Sequence, residues 1–301
     1  MKRFYVNIIG LILGFIIIDR VVGFVMEYFI ENQKSHEIYE AKTKVALCPE
    51  IAILGSSRAE GHYNASIISD SMNKYTINYG IPGTGTITQL FMLENILSAN
   101  KKLKLVILDI KPYEFNDAFD AAELNKIYPL FVHNEALLAH LKKYDHAEYL
   151  KIQSKMFRYN NMIVSLFRGY MEDKRQDSSF LKFSGFPKAK TLPTCDECEF
   201  LNVHNGYLQS INDIIKITKE NNIDLVFSVS PIFARIKKSR TIEVIDSISK
   251  VNNIPFINNA AAYVKMEENV LYRDYKHLNE DGANKFNKEI LVPQLKNILK
   301  N

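Results

Sequence analysis

Apolar and polar residues are arranged in two different ways along the chain. A long apolar run occupies the N-terminus, and from Ile51 onward short apolar runs alternate with segments of helical spacing. Short apolar runs that end in turns are typical of buried parallel strands. Their alternation with helices predicts a three-layer α/β/α domain with about five parallel strands, a flavodoxin-like arrangement.

Short apolar runs give the positions of the strands, and helical spacing gives the positions of the helices. We predict strands at 51–54, 75–79, 105–108, 223–229 and 255–257. We predict helices at 64–72, 86–97, 208–221, 239–251 and 280–298. Together these elements make one α/β domain over residues 51–301.

A segment at about residues 116–193 breaks this rhythm. It is rich in Tyr, Phe, Lys and Leu, with helical spacing around 137–150 and 156–171, and we interpret it as a helical insertion. Its aromatic residues are candidates for the wall of an acyl or glycan pocket, although packing in a core is the more common role. These aromatic residues are Phe157, Tyr159, Phe167 and Tyr170.

The apolar run at the N-terminus predicts a membrane anchor. A helix from Tyr5 to Met26 rises roughly 33 Å, enough to cross a bilayer. Basic residues before the run, and Glu27 and Glu31 beyond it, predict a cytoplasmic N-terminus. We place a single-pass transmembrane helix at 1–26 and a polar stalk at 27–50. The catalytic domain would then lie outside the inner or cytoplasmic membrane.

Two alternatives to an anchor are open. A cleaved signal peptide would need a small-x-small cleavage site, and none follows the apolar run. A buried helix of a soluble protein is the other alternative. Asp19 and Arg20 are costly in lipid, which indicates that they lie near the outer interface or pair with a membrane partner.

Charge and histidine spacing exclude some classes of function. The 301 residues carry a net charge of +4, and the lysines do not form a basic stripe interleaved with aromatic residues. Nucleic acid is therefore not an expected partner. No metal-ligand spacing occurs among His133, His140, His146 and His204. We expect neither a metal nor a cofactor.

Cys195 and Cys198 form a C-x-x-C pair. Half of a zinc site would need a second pair, but only Cys48 remains. A redox motif of the thioredoxin type would need a strand before the pair and a helix opening on it, which Pro193 and the acidic spacer do not supply. Outside the cytoplasm a local disulfide is favoured over free thiols and over zinc.

The first predicted strand ends in a candidate nucleophile. Gly55 lets the chain turn sharply, and Ser57 then sits at the carboxyl end of a strand, where open α/β sheets bind their ligands. Alternatively, Ser56 or Ser57 caps the next helix. Arg58 could steer an anionic glycan, although a surface salt bridge is the more common role for such a residue.

A loop near the C-terminus contains matching partners. Asp274 and His277 are three residues apart and fit one tight turn before the last predicted helix. His277 could take a proton from Ser57 while Asp274 holds the imidazole in the right tautomer. A surface loop with Asn279 or Asp281 as the helix cap is the alternative.

Together these blocks resemble the SGNH (GDSL-like) hydrolase superfamily. Gly55-Ser56-Ser57 stands where many members have Gly-Asp-Ser, Asn78-Tyr79-Gly80-Ile81-Pro82-Gly83 is similar to the second block, and Asp274-x-x-His277 is similar to the last. The third block usually supplies an Asn after a strand, and here that strand ends in Asp109-Ile110-Lys111-Pro112. This form resembles the membrane-anchored branch, which includes the D-alanyl transfer protein of teichoic acid synthesis and the alginate acetylation proteins.

The resemblance implies an SGNH fold and a site. Catalysis would fall to Ser57, His277 and Asp274. The oxyanion hole would combine the backbone N–H groups of Ser57 and Gly80, with the side chain of Asn78 as a contributor.

The reaction implied is acyl transfer from an ester to water or to a sugar hydroxyl. The substrate would be an acylated glycan of the cell envelope, with a membrane acyl-donor protein as a further partner. A non-catalytic glycan-binding or scaffold protein of an envelope assembly is the alternative, because the third-block Asn is missing.

Overall fold

The computed structural model describes most of the chain. The described residues are 2–32, 47–99, 101–116, 135–160, 163–171, 182–187, 191–199 and 205–299. The chain divides into two compact units, one of Met1–Lys44 with Ala121–Asp177 and the other of Val45–Asp120 with Ser178–Asn301. Most of the predicted stalk, His133 and His204 lie outside the described residues.

The larger unit is built on a parallel sheet. Within the described residues five strands pair in the order β2-β1-β3-β4-β5, and every pair is parallel. The strands are β1 Ile51–Leu54, β2 Thr76–Asn78, β3 Leu105–Asp109, β4 Asp224–Val229 and β5 Phe256–Asn258. This is the strand order of the flavodoxin-like folds, so the predicted fold class is confirmed.

Helices cover both faces of this sheet. In one layer Thr86–Ala99 packs against Asn205–Glu220, and in the other Ala65–Met72 packs against Val292–Ile298. The other helical segments of this unit are Ser57–His62, Glu114–Asn116, Asp196–Glu199, Arg240–Asn252, Met266–Leu271, Glu280–Phe286 and the π-turn Asn287–Leu291.

Alternate side chains of the central strands face the two helical layers. Ile51 and Ile53 belong to a buried cluster that also contains Leu295 of the last helix. Ala52 and Leu54 are equally buried and, in an extended strand, point to the opposite face. Because both faces are covered, the strand reads as a continuous apolar run, which is the pattern that allowed its prediction.

Two helical regions differ from the prediction. A short helix, Ser57–His62, follows β1 where the sequence indicated only a turn. The helix predicted at 280–298 is broken by the π-turn Asn287–Leu291. Pro293 lies just beyond this turn and lacks the N–H that an uninterrupted α-helix requires.

The smaller unit contains the apolar helix predicted at the N-terminus. This helix runs from Lys2 to Glu31, beyond the predicted limit at Met26. An 18-residue stretch of this helix has a mean hydropathy of 2.4, so the helix is long and apolar enough to span a membrane. Nearly every residue from Lys2 to Ile18 is exposed, whereas Gly23, Met26 and Ile30 are buried.

Residues 135–160 and 163–171 of the predicted insertion belong to the same unit, and two of their helices, Lys155–Tyr159 and Ile163–Met171, pack on this apolar helix. These residues form the helices Glu135–Tyr144, His146–Lys151, Lys155–Tyr159 and Ile163–Met171. Tyr159 is buried in a cluster with Met26 and Ile30, while the rings of Phe167 and Tyr170 lie 4.7 and 5.1 Å from that of Phe29. Tyr159 is therefore a core residue of this unit, whereas Phe167 contacts Phe29 but remains 42% exposed.

A disulfide joins Cys195 and Cys198, which agrees with the favoured interpretation of the C-x-x-C pair. The bond closes a short turn that is held in place by a hydrogen bond from the N–H of Cys195 to the carbonyl of Arg235, 2.9 Å long. Cys48 is free and exposed.

The state of the three thiols provides a direct test. Alkylation of the freshly purified, unfolded chain without reductant should modify Cys48 alone, because Cys195 and Cys198 are bonded to each other. Reduction before alkylation should add two further labels, counted by mass spectrometry. Cys48 serves as the internal control for complete alkylation, and three labels without reductant would contradict the disulfide.

Candidate active site

The turn after β1 can be made only by glycine. Gly55 has a φ of +156°, and an added Cβ would lie 2.6 Å from the Cβ of Ala59 and 3.0 Å from the Cβ of Asp109. The chain then continues through Ser56 into the Ser57–His62 helix. Ser57 is the first residue of that helix, so its N–H has no partner within the helix.

The loop after β5 is folded on its own aspartate. Oδ1 of Asp274 accepts hydrogen bonds from the backbone N–H groups of Lys276 and His277, at 2.8 and 2.9 Å. Asn279 then caps the next helix by accepting from the N–H of Gly282 at 3.0 Å. Asn279 is therefore the cap that the sequence suggested, and the cap coexists with the Asp274–His277 turn.

These two loops meet in a chain of hydrogen bonds. Ser57 Oγ lies 2.9 Å from Nε2 of His277, and Nδ1 of His277 lies 3.0 Å from both carboxylate oxygens of Asp274. An ionised carboxylate can only accept, so Nδ1 carries the ring proton and Nε2 is left to accept from the Ser57 hydroxyl. Ser57 is partly exposed, as a group that meets a substrate must be.

The neighbouring serine does not share this geometry. Ser56 is buried, and its hydroxyl has no hydrogen-bond partner among the described residues. Ser57, rather than Ser56, is thus the hydroxyl placed against the imidazole.

The Asp274 carboxylate is maintained in its charged form. Burial by itself raises the pKa of this carboxyl, but the hydrogen bond and charge of His277 oppose burial, as do the backbone N–H groups of Lys276 and His277. The net result is a pKa below the usual value of 3.8. Asp274 is therefore ionised near neutral pH and suited to stabilise an imidazolium at His277.

The second predicted block is arranged differently from the expected oxyanion hole. The amide nitrogen of Asn78 donates to the carbonyls of Ala59 and Tyr63, at 2.7 and 2.8 Å, and its Oδ1 accepts from the N–H of Gly80 at 2.9 Å. The Asn78 amide group and the Gly80 N–H are thus bonded to each other and to the Ser57–His62 helix. Both groups are therefore engaged within the fold in this structure, and an oxyanion hole made of Ser57, Gly80 and Asn78 stays a prediction.

Gly80 instead allows a close approach of two backbones. An added Cβ would lie 2.3 Å from the backbone nitrogen of Glu60. Glycine is therefore required here so that the loop after β2 can rest directly on the Ser57–His62 helix.

Arg58 is buried, and the expectation of a surface salt bridge is wrong. Its side chain is 1% exposed, and its Nε lies 3.8 Å from Oδ2 of Asp109, which is itself fully buried. Its guanidinium also donates to Oγ of Ser230, at 2.8 Å, and to the carbonyl of Lys276, at 3.3 Å. A buried arginine is stable only with partners such as these.

Asp109 occupies the position where the third block usually has Asn. At the end of β3 its Oδ1 accepts from the hydroxyls of Tyr63, at 2.7 Å, and Ser230, at 3.1 Å. Together with the ion pair to Arg58, these bonds engage the carboxylate within the fold. The sequence showed that the Asn was replaced but not that Asp109 pairs with Arg58.

His62 was not recognised from the sequence, yet it contacts the same loop. Its Nε2 accepts from the N–H of Leu278 at 2.9 Å, so the ring proton sits on Nδ1, which lies 2.9 Å from Oγ of Ser230. Arg58 bonds the residue before His277 and His62 bonds the residue after it. The loop that contains His277 is therefore held on both sides of the imidazole.

Burial keeps His62 neutral. Loss of solvation, together with the positive charge of Arg58 and the proximity of His277, holds the pKa of His62 well below its usual value of 6.5. A neutral ring is also what the accepted hydrogen bond from Leu278 requires.

An aromatic side chain covers one side of His277. The ring of Phe183 lies 5.3 Å from that of His277 in an edge-on arrangement, and the guanidinium of Arg273 lies 4.6 Å from the Phe183 ring. Gly61 makes room for Phe183, because an added Cβ would lie 2.3 Å from its ring. No spacing in the sequence links Phe183 to this site, since it lies almost a hundred residues from His277.

Comparison with known proteins gives only distant matches. No family model and no curated protein matches the chain. A candidate acylhydrolase from Bacteroides fragilis NCTC 9343 is 12% identical, with a TM-score of 0.44 over 87% of this chain and 97% of that chain. A GDSL-like lipase from Bacteroides thetaiotaomicron VPI-5482 is also 12% identical, with a TM-score of 0.40 over 90% of this chain and 98% of that chain. Similarity at this level carries no functional inference, so the function rests on the chemistry of the site.

The buried pair predicts a large effect on stability. Arg58→Met leaves the Asp109 charge without its partner, and we expect the free energy of unfolding to fall by about 3–5 kcal/mol. Arg240→Met is the matched control, because Arg240 pairs with Glu243 at the surface and should cost less than about 1 kcal/mol. Urea unfolding followed by circular dichroism measures both, and equal losses would reject a structural role for the buried pair.

His62 predicts a loss of stability in mild acid. The unfolded chain binds a proton at His62 as the pH falls below about 6.5, whereas the folded chain does not. Stability should therefore fall below this pH, by up to about 1.4 kcal/mol per pH unit for one proton. His62→Gln keeps an acceptor for Leu278 but cannot titrate, so its stability should vary less between pH 6.5 and pH 5. An unchanged slope would show that other groups control the acid response.

Proposed function

We propose that the protein is a membrane-anchored serine esterase or O-acyltransferase of the SGNH (GDSL-like) hydrolase superfamily. The observation that carries this proposal is the hydrogen-bonded chain from Ser57 through His277 to Asp274 at the carboxyl edge of the sheet. Two parts of the sequence that are far apart supply these groups: Ser57 is the oriented hydroxyl, and one loop provides both the base His277 and the carboxylate of Asp274 that orients it. This is the arrangement that acyl transfer through a covalent intermediate needs.

The first half of the reaction follows from the proton positions. Oγ of Ser57 attacks the ester carbonyl while Nε2 of His277 takes its proton, and Asp274 stabilises the imidazolium that forms. The tetrahedral intermediate then expels the alcohol, which receives the proton from His277. The acyl group is left as an ester on Ser57.

The second half decides between hydrolysis and transfer. Water or a sugar hydroxyl gives its proton to His277 and attacks the Ser57 ester, and the released Ser57 hydroxyl recovers a proton. Both acceptors use the same three residues, so the choice depends on acceptor binding and on exclusion of water.

The oxyanion hole is reduced relative to the predicted one. The N–H of Ser57, at the first turn of its helix, is the donor that supports stabilisation of the oxyanion. The N–H of Gly80 would contribute only after releasing Oδ1 of Asn78. Each oxyanion donor is worth roughly 3 kcal/mol, so this difference bears directly on the rate.

The proposed setting is the cell envelope. The apolar helix Lys2–Glu31 supports a single-pass anchor in the inner or cytoplasmic membrane, with the larger unit outside the cytoplasm. The disulfide between Cys195 and Cys198 is consistent with an oxidising compartment. The substrate proposed is an acyl ester of an envelope polysaccharide, with a membrane acyl-donor protein as the partner in the transfer reaction.

A non-catalytic glycan-binding or scaffold protein is the second candidate. The hydrogen bond between Asn78 and Gly80 favours it, because both were predicted to contribute to the oxyanion hole. The replacement of the third-block Asn by Asp109, which pairs with Arg58, also favours it. The contact between Ser57 and His277 favours catalysis, because a binding protein has no need of an activated hydroxyl.

A fluorophosphonate probe and paired serine variants distinguish these functions. The full chain should be labelled, and Ser57→Ala and His277→Ala should each lose labelling and lower esterase turnover on a short acyl ester by roughly three orders of magnitude or more. Asp274→Ala should cost less, because Asp274 orients the imidazole without reacting.

Ser56→Ala is the matched control, since the Ser56 hydroxyl has no partner among the described residues. It should retain labelling and most of the turnover. Circular dichroism checks that each variant is folded. If the folded full chain is neither labelled nor active, the scaffold function takes the place of the enzyme.

A further inference from the structure

Asp19 lies in the apolar helix of the smaller unit, and its carboxylate has hydrogen-bond partners. Its carboxylate accepts three hydrogen bonds, from Oγ of Ser154 at 2.6 Å and from the backbone N–H groups of Lys155 and Met156 at 3.1 and 2.9 Å. The acceptor thus sits at the N-terminus of the Lys155–Tyr159 helix, where backbone N–H groups lack partners of their own.

Lys155 continues this contact along the apolar helix. Its stem packs on Gly23, where an added Cβ would lie 2.2 Å from Cδ of Lys155. Its ammonium group reaches Glu27 at 2.8 Å, and the hydroxyl of Tyr159 donates to the same carboxylate at 3.2 Å. Asp19, Gly23 and Glu27 are four residues apart, so one face of the helix carries all these contacts.

The depth of this contact follows from the length of the helix. A hydrocarbon layer of roughly 30 Å takes about 20 helical residues, and a span that begins at Phe4 ends near Gly23. Asp19 then lies inside the layer, and Glu27 lies beyond it. Lys155 therefore extends from the depth of Asp19 toward the aqueous side, as long basic side chains do at membrane interfaces.

The helices next to this contact expose apolar side chains. Val164 is 71% exposed and Met171 is 82% exposed. Further exposed apolar residues of the same segment are Leu150, Met156, Ile163 and Phe167. They belong to the same unit as the apolar helix, whose large apolar residues from Phe4 to Ile18 are exposed in the same way. Because a lipid bilayer would cover the apolar helix, we expect the same bilayer to cover these exposed side chains.

We infer that the helices Lys155–Tyr159 and Ile163–Met171 lie in the bilayer, in the leaflet that contains the C-terminal end of the apolar helix, with Asp19 as the acceptor that holds them there. Backbone N–H groups without partners are costly in hydrocarbon, and Asp19 supplies the partner that the Lys155–Tyr159 helix needs. This explains an acidic residue within an apolar helix. The inference rests on the proposed membrane anchor and not on the proposed enzymatic reaction.

Single-tryptophan fluorescence provides the test, because the chain contains no tryptophan. The full chain is reconstituted into phosphatidylcholine vesicles with brominated acyl chains, which quench tryptophan only in lipid. Val164→Trp should lose most of its fluorescence, as should Phe15→Trp in the apolar helix. Val251→Trp is the matched control, since Val251 is 82% exposed on a helix of the larger unit, and it should be little quenched.

The outcomes separate this inference from the anchor itself. Quenching at Phe15→Trp without quenching at Val164→Trp would overturn the inference while leaving the anchor intact. A blue-shifted Val164→Trp emission that bromine does not quench would indicate a protein partner or a second copy, and would also overturn it. Absence of quenching at Phe15→Trp would reject the anchor, and with it this inference, whatever the esterase assay shows.

The role of Asp19 is tested in the Val164→Trp background. Asp19→Leu removes the acceptor, so quenching of Trp at 164 should fall severalfold, whereas Asp19→Asn keeps one acceptor oxygen and should retain more. Quenching of Trp at position 15 should be unchanged by either substitution. That result would show that the anchor still inserts in the Asp19 variants. Equal quenching with and without Asp19 would reject its role as the acceptor.

Discussion

The buried ion pair between Arg58 and Asp109 connects the loops that form the site. Arg58 follows β1, Asp109 ends β3, and the Ser230 that bonds to both follows β4. Arg58 also bonds the carbonyl of Lys276 in the loop of His277. Because two buried charges are stable only when they are paired, the ion pair restrains these four loops to one arrangement. The contact between Ser57 and His277 depends on that restraint, although neither residue belongs to the pair.

The same constraint explains why the site departs from the expected one. The carboxylate at Asp109 is engaged with Arg58, Tyr63 and Ser230, so it serves the fold and not an oxyanion. The side-chain amide of Asn78 likewise donates to two backbone carbonyls and accepts from one backbone N–H. These bonds hold the Ser57–His62 helix in place. The result is a Ser57 hydroxyl oriented against the His277 imidazole, while the Gly80 N–H is bonded to Asn78. The proposed reaction would therefore depend on how the loop after β2 responds to substrate.

The smaller unit shows a related pairing of a charge that is only partly exposed. Asp19 is costly in an apolar helix, but the N-terminus of the Lys155–Tyr159 helix supplies three donors to it. Lys155 then reaches Glu27, which adds an ion pair on the same helix face. In both units a charged side chain in an apolar setting is hydrogen-bonded by a segment that is distant in sequence. These hydrogen bonds determine where that segment lies within its unit.

The sequence by itself determined the elements that local pattern controls. Continuous apolar runs identified β1 and most of β3, since strands covered on both faces have few polar positions. The sequence also placed a glycine, Gly55, at the turn after β1. Short motifs led to the prediction of Ser57, after a strand, and of Asp274 and His277, before a helix, as residues of one site. Only the tertiary structure decided what Arg58, His62, Asn78 and Phe183 do. Their roles depend on partners brought from distant parts of the chain by packing, and neither local spacing nor residue type specifies those partners.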